Sequence, residues 1–179
     1  AQSPGGGWQL EVTGPTGDHQ QQVVDNLILA TSASGAARLA ENVDPSLADQ
    51  LGQITAASAA VISLGYRREQ ISHPLDGFGL VVPLVENRPL IAVSFASVKF
   101  SGRAPDGHVL FRVFIGGACQ GALLEQSDDQ LVETAVSQLE QLLGAQGEPV
   151  LTELARWQGA MPQYHVGHLD RVSAIESSL

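Results

Sequence analysis

The sequence is nearly without cysteine, nearly without lysine and without any long apolar run. Cys119 is its single cysteine in 179 residues, so no disulfide framework and no thiolate metal site can form within the chain, which suits a reducing compartment. Nine Lys plus Arg face nineteen Asp plus Glu, for a formal charge of −10. A chain this acidic repels nucleic-acid phosphates and anionic lipid, and no basic stripe interleaved with aromatics relieves that. Nucleic acid is therefore excluded as a partner. Lys99 is the only lysine and the other eight cations are arginines, the better side chain for planar, bidentate carboxylate recognition. No apolar run reaches the roughly 18 residues that cross a bilayer, so no transmembrane segment is expected. The opening AQSPGGGWQLEV has neither the basic nor the apolar stretch of a secretory leader.

Signature loops are missing too. No G-x-x-x-x-G-K-[ST] and no G-x-S-x-G occurs. Gly77-Phe78-Gly79 starts like a dinucleotide loop, but Val82 stands where the third glycine belongs and a strand pattern follows instead of a helix, so phosphate binding there is rejected.

What is present reads as a folded protein. Apolar residues make up 44% and charged residues 16%, a balance that suits a soluble globular chain long enough for one domain plus part of a second. Residues 7–13 and 22–30 read as strands around the turn Gly14-Pro15-Thr16-Gly17-Asp18, with residues 27–30 continuous and apolar as in a buried strand. Ser34 is expected to start one short helix, and Asp44-Pro45 another, because Asp caps well and Pro is preorganised at the first helical position. Residues 54–66, 78–83, 90–98 and 109–115 read as successive strands separated by Pro- and Gly-bearing turns, most simply antiparallel. A helix is expected over 127–143, with a Ser127/Gln130 capping box, one face of Leu131, Ala135, Leu139 and Leu142, and Gly144 as left-handed cap. A strand near 150–156 and a polar helix from 168 complete an α+β arrangement, an antiparallel or mixed sheet packed by helices.

The candidate reactive residues do not converge. His165 and His168 are three apart but have no third ligand close in sequence, so no metal is expected. Cys119, among small residues, reads as an inert thiol without a basic partner. Trp157 and Tyr164 read as ordinary core. No catalytic constellation stands in the chain.

Four strings carry a resemblance: SLGYRREQISHPLDGFGLVVP, SFASVKFSGRAPDGHVLFRVFIGGA, SDDQLVETAVSQLEQLLG and RWQGAMPQYHVGHLDRV. In this order and spacing, from about Trp8 to Leu179, the chain resembles the oxygen-dependent protoporphyrinogen oxidases and their coproporphyrinogen-oxidising relatives. The combination of GFG…VP, F-x-G-R-x-P-x-G, IGG and MPQY-x-x-GH carries the specificity.

That resemblance implies the substrate-binding domain of a flavin amine oxidase-like fold. Residues 1–34 would be strands left from an FAD-binding domain, 35–167 the substrate-binding domain, and 168–179 a helix leading back to the FAD domain. It implies FAD in the full-length enzyme and none on this piece, which lacks the G-x-G-x-x-G loop, a porphyrinogen as substrate and O2 as acceptor. Phe78, Gly79, Val81, Ser94 and Phe114 match the family's pocket wall. Ser94 is smaller and more polar than the aliphatic residue usual there. Arg112, two places before Phe114 on an alternating strand, would share its face and reach a substrate propionate; the alternative is an ion pair with Asp129 or Glu133. Thr31 and Ser32 match a flavin-side turn, with Ser32 in place of the usual proline. No residue is assigned as catalytic. The partners implied are the substrate, the remainder of the enzyme's own chain, and a second copy through the uncovered Leu27, Ile28 and Leu29. The location implied is cytoplasmic, with peripheral membrane contact by the full-length enzyme. Two other readings stand beside it: a non-enzymatic tetrapyrrole-binding module, and a different flavin amine oxidase relative.

Overall fold

A computed structural model describes residues 5–178; residues 1–4 and 179 of the expected end segments lie outside it. The chain divides into two compact units, Ala1–Thr55 with Pro162–Leu179, and Ala56–Met161. The divisions fall at 55/56 and 161/162, not at 34/35 and 167/168. The physical reason is that the two short helices pack on one another, and the second of them on the C-terminal helix.

In the first unit, β1 (Trp8–Thr13) and β2 (His19–Val24) form an antiparallel hairpin, with Trp8 opposite Val24 and Thr13 opposite His19. The turn closes through Gly14 N–H to the Asp18 carbonyl at 2.8 Å. The strand expected over 22–30 stops at Val24, because β1 ends opposite it and a strand without a ladder partner has nothing to hold it. Residues 27–30 are therefore neither strand nor buried; Ile28 is 89% exposed. Helix α1 (Ala33–Ala40) starts a residue before the expected Ser34, since Ser32 Oγ accepts from Gly35 N–H at 3.2 Å and so caps it. Helix α2 (Pro45–Gly52) begins as expected, with Asp44 Oδ1 accepting from Leu47 N–H at 3.0 Å. An apolar groove of about 670 Å³ opens among Leu10, Leu27, Leu29, Leu39, Leu47 and Ile175.

The second unit is one five-stranded sheet. Its strands are β3 (Ala56–Arg67), β4 (Gly79–Val81), β5 (Ala92–Phe95), β6 (His108–Gly116) and β7 (Leu151–Pro162), ordered β4-β5-β6-β3-β7. Pairs β4–β5, β5–β6 and β6–β3 are antiparallel. Two expected strands are shorter. Residues 78–83 pair only over Gly79–Val81. Residues 90–98 leave the ladder after Phe95 and coil into α3 (Ala96–Lys99), where Ser97 Oγ takes the Leu110 N–H at 3.0 Å that a continuing strand would have bonded. The last strand runs beyond the expected 156, to Pro162.

Alternation decides the core. On β6, Val109, Phe111, Val113 and Ile115 are buried; Leu110 and Phe114 are half-buried and Arg112 is exposed. On β3, Ala60, Ile62, Leu64 and Tyr66 join the buried side. Helix α4 (Asp128–Leu143) seals this face with Leu131, Ala135, Leu139 and Leu143, and each buried leucine contributes about 2 kcal/mol. Leu142, expected on that face, is only partly buried, and Leu143 takes its place. Both halves of the Ser127/Gln130 capping box form, and Gly144 takes φ +60 as the left-handed cap.

One buried polar group stands in this core. Tyr66 is 0% exposed with its ring 6.3 Å from Phe111, and its hydroxyl has no hydrogen-bond partner among the described residues. Burial, with Glu148 and Glu140 adding to it, pushes its pKa up to about 12. The folded pKa lies above the unfolded value, so the stability that goes with the neutral phenol is present below about pH 10 and is lost as pH rises through about 12. Denaturant titrations at pH 8 and pH 11.5 are expected to show a loss at high pH that Tyr66→Phe largely removes. At pH 8 the variant should be no less stable than the parent, because the deleted hydroxyl bonds nothing. An equal alkaline loss in both proteins would show that Tyr66 is not its source.

Candidate functional site on the bare face of the sheet

The face opposite α4 carries a different chemistry. Register places Gly79 opposite Ser94, Ser94 opposite Arg112, and Arg112 opposite Ser63, one row across four strands. The adjacent row is Val81, Ala92, Phe114 and Val61. Directly opposed residues share a face, so Gly79, Val81, Ser94, Arg112 and Phe114, separate in sequence, stand together. Each row spans three strand spacings, about 14 Å.

The edge strand approaches closely because Gly79 has no side chain. Its φ is +152, and a Cβ there would lie 2.3 Å from the Val93 carbonyl oxygen, so no other residue fits without moving β4. Val81 is 78% exposed on this face. Phe78 precedes β4 and is 68% exposed, and its carbonyl accepts from Phe95 N–H at 3.0 Å. It lies beside the two rows, outside the ladder.

Arg112 lies with its guanidinium 5.4 Å from the Phe114 ring centroid. It makes no ion pair among the described residues. The alternative pairing with Asp129 or Glu133 fails because both belong to α4, which covers the other face. Sequence reasoning also missed a residue. On β7, Leu154 packs into the core, and Arg156 donates to the Leu124 and Gln126 carbonyls at 2.7 Å each and to Asp128 at 2.8 Å. Alternation then puts Glu153, Ala155 and Trp157 on the bare side. Trp157 is 51% exposed and Tyr164 75%, so neither is core as expected. The period-two pattern of ELARW was the signal.

The remaining candidates lie elsewhere. Thr31 and Ser32 are in the first unit, where Thr31 Oγ1 donates to the Ser32 carbonyl at 3.2 Å. Ser32 has φ −61, the value a proline would impose, so replacing proline leaves that turn's backbone unchanged. Ser32 Oγ is already engaged by the Gly35 N–H. His165 Nε2 lies 3.1 Å from Thr55 Oγ1, whereas His168 stacks on Tyr164 at 4.3 Å. Among the described residues no three His, Cys, Asp or Glu converge as metal ligands. Cys119 is exposed.

These two rows make a largely apolar surface with one cation, Arg112, and two hydroxyls, Ser63 and Ser94. Residues 2–177 fit the model of the flavin containing amine oxidoreductases, and the chain belongs to that family. It is 37% identical over 155 residues to the coproporphyrinogen III oxidase of Propionibacterium freudenreichii subsp. freudenreichii, covering 87% of this chain and 29% of that one. It is 32% identical over 150 residues to the mitochondrial protoporphyrinogen oxidase of Nicotiana tabacum, covering 79% and 29%. The chain thus spans under a third of the length of these relatives. The fold is shared with a crystal structure from Exiguobacterium sp. 255-15 provisionally assigned as a protoporphyrinogen oxidase, at TM-score 0.76 and 24% identity over 99% of this chain and 37% of that one. It is also shared with reduced UDP-galactopyranose mutase, at TM-score 0.65 and 16% identity over 89% and 36%.

The family implies FAD. The described residues do not fit its pyrophosphate: Gly79 lies in a strand pressed against the Val93 carbonyl, and no helix N-terminus follows it. Gly79→Ala is expected to cost about 2 kcal/mol through the clash and the disfavoured φ. Thermal unfolding tests this, and an unshifted midpoint would show that β4 yields freely.

Proposed function

We propose that the chain supplies the substrate-side wall of an FAD-dependent porphyrinogen oxidase of haem synthesis, with Ala56–Met161 as that wall and the first unit on the flavin side. The observation that carries this reading is the register. It gathers Gly79, Val81, Ser94 and Phe114, residues that match the family's pocket, and with them Arg112, onto the sheet face opposite the one that α4 covers. A porphyrinogen is a broad, mostly apolar ring, and an apolar wall fixes its orientation and excludes water. Redox chemistry in this family is the flavin's; these residues position.

The reading names no catalytic residue. The wall's effect on rate is orientation, the placing of one ring edge toward the reactive cofactor atom. The single, exposed Cys119 suits a reducing interior, and the reading is of a cytoplasmic protein. No helix among the described residues is long and apolar enough to cross a membrane.

In the complete flavoprotein, Val81→Asp is expected to lower kcat/KM for porphyrinogen oxidation at least about tenfold, because a carboxylate would be desolvated against an apolar ring. Val81 is exposed on an edge strand, so folding should survive. An unchanged kcat/KM would remove Val81 from the wall and take the reading with it. The apolar groove of the first unit supports a second expectation. Purified alone, the chain should self-associate through Leu27, Ile28 and Leu29, since apolar faces of this size find partners. Light scattering that returned a monomer at every concentration would refute it.

A further inference from the structure

Three side chains of the bare face are donors with nothing to bond. Ser94, Arg112 and Ser63 lie side by side on β5, β6 and β3. Neighbouring positions are about 5 Å apart. Among the described residues none of the three has a side-chain hydrogen bond or ion pair. Three other polar side chains of the unit are engaged. Arg68 donates to the carbonyls of Ile71, His73 and Pro74, Arg88 to Gln138 and Gln141, and Ser97 accepts from Leu110 N–H. Ser63, Arg112 and Ser94 thus place three unbonded donors side by side in one row.

We propose that Ser63, Arg112 and Ser94 form a carboxylate niche that takes an acidic side arm of a large apolar ligand. The proposal rests on the reading of this face as a porphyrinogen wall. A guanidinium offers a planar fork to a carboxylate, and a hydroxyl on either side can donate to the oxygens the fork leaves open. The Phe114 ring, 5.4 Å from the guanidinium carbon, favours one orientation of the fork before any ligand arrives and lowers the entropy lost on binding. Glu153 is the acid on this face, and it stands on β7, two strands from Arg112 or about 10 Å. It makes no ion pair with Arg112. The chain as a whole, at −10, repels anions, so an acidic ligand needs a local cation.

The two rows also set an orientation. Residues 112 and 114 are about 7 Å apart along β6. The apolar body of the ring lies over Val81, Ala92 and Phe114, and its acidic edge lies toward the Gly79–Ser63 row. On this account the charge of Arg112 separates a free acid from an uncharged side arm, and the hydroxyls of Ser63 and Ser94 fix the orientation of the bound carboxylate.

The test is a fluorescence-quenching titration of the complete flavoprotein with coproporphyrin III and with its tetramethyl ester. Arg112→Met should weaken the acid about 10- to 100-fold, the range for lost hydrogen bonds to a charged group, and leave the ester within about twofold. Ser63→Ala with Ser94→Ala should weaken the acid about threefold or more, again sparing the ester. Arg112→Lys should recover part of the loss, since it keeps the charge without the fork. Equal losses for acid and ester, or an unchanged affinity for the acid, would overturn the niche. Parent protein that binds acid and ester alike would overturn the niche and leave the wall standing; parent protein that binds neither would overturn both.

Discussion

The antiparallel pairing of β3 with β6 is the constraint on which the second unit depends. It runs from Ala59 opposite Gly116 to Arg67 opposite His108 without a bulge. Because side chains alternate along each strand, this register alone assigns Ile62, Leu64, Phe111 and Val113 to one face and Ser63, Arg112 and Phe114 to the other. A slip by one residue would drive Arg112 into the core and expose Phe111, at a cost no local interaction could offset. Every other feature, from the seat of α4 to the approach of Gly79, is built on that ladder.

The division of labour between the faces follows from it. One side is filled by Tyr66, Phe95, Phe111 and the leucines of α4, close-packed and intolerant of volume change. The other is kept flat by small residues, Gly79, Ala92, Ser94 and Ser63, with Phe114 and Arg112 rising between them. The likeness in fold to a UDP-galactopyranose mutase underlines that a scaffold does not by itself decide a substrate.

Local signals were readable where the interaction that satisfies them is local. The caps at Asp44 and Ser127 and the left-handed Gly144 involve partners within a few residues, so their chemistry is written in order along the chain. Signals failed where a distant residue supplies or withholds a partner. Residues 27–30 look like a buried strand, yet they have no ladder neighbour and are left exposed. Residues 96–98 look like the end of a strand, but Ser97 takes the Leu110 N–H and they coil into a turn of helix. Trp157 looks like core until Leu154 and Arg156 are seen to occupy the covered side.

By itself the sequence determined the family, through four strings kept in order and spacing, and it determined the α+β class through alternation and caps. It also named Arg112 and Phe114 as sharing a face, because alternation within one strand needs no partner. It could not say that Gly79, Ser94 and Ser63 fall in line with Arg112. Those residues come from four strands with loops of different lengths between them, and only the hydrogen-bonded register across the sheet aligns them. Nor could it say which face α4 would cover. Only the packed core decides that, since a helix with one apolar stripe must bury it against whichever side of the sheet presents Phe111, Val113 and Ile62.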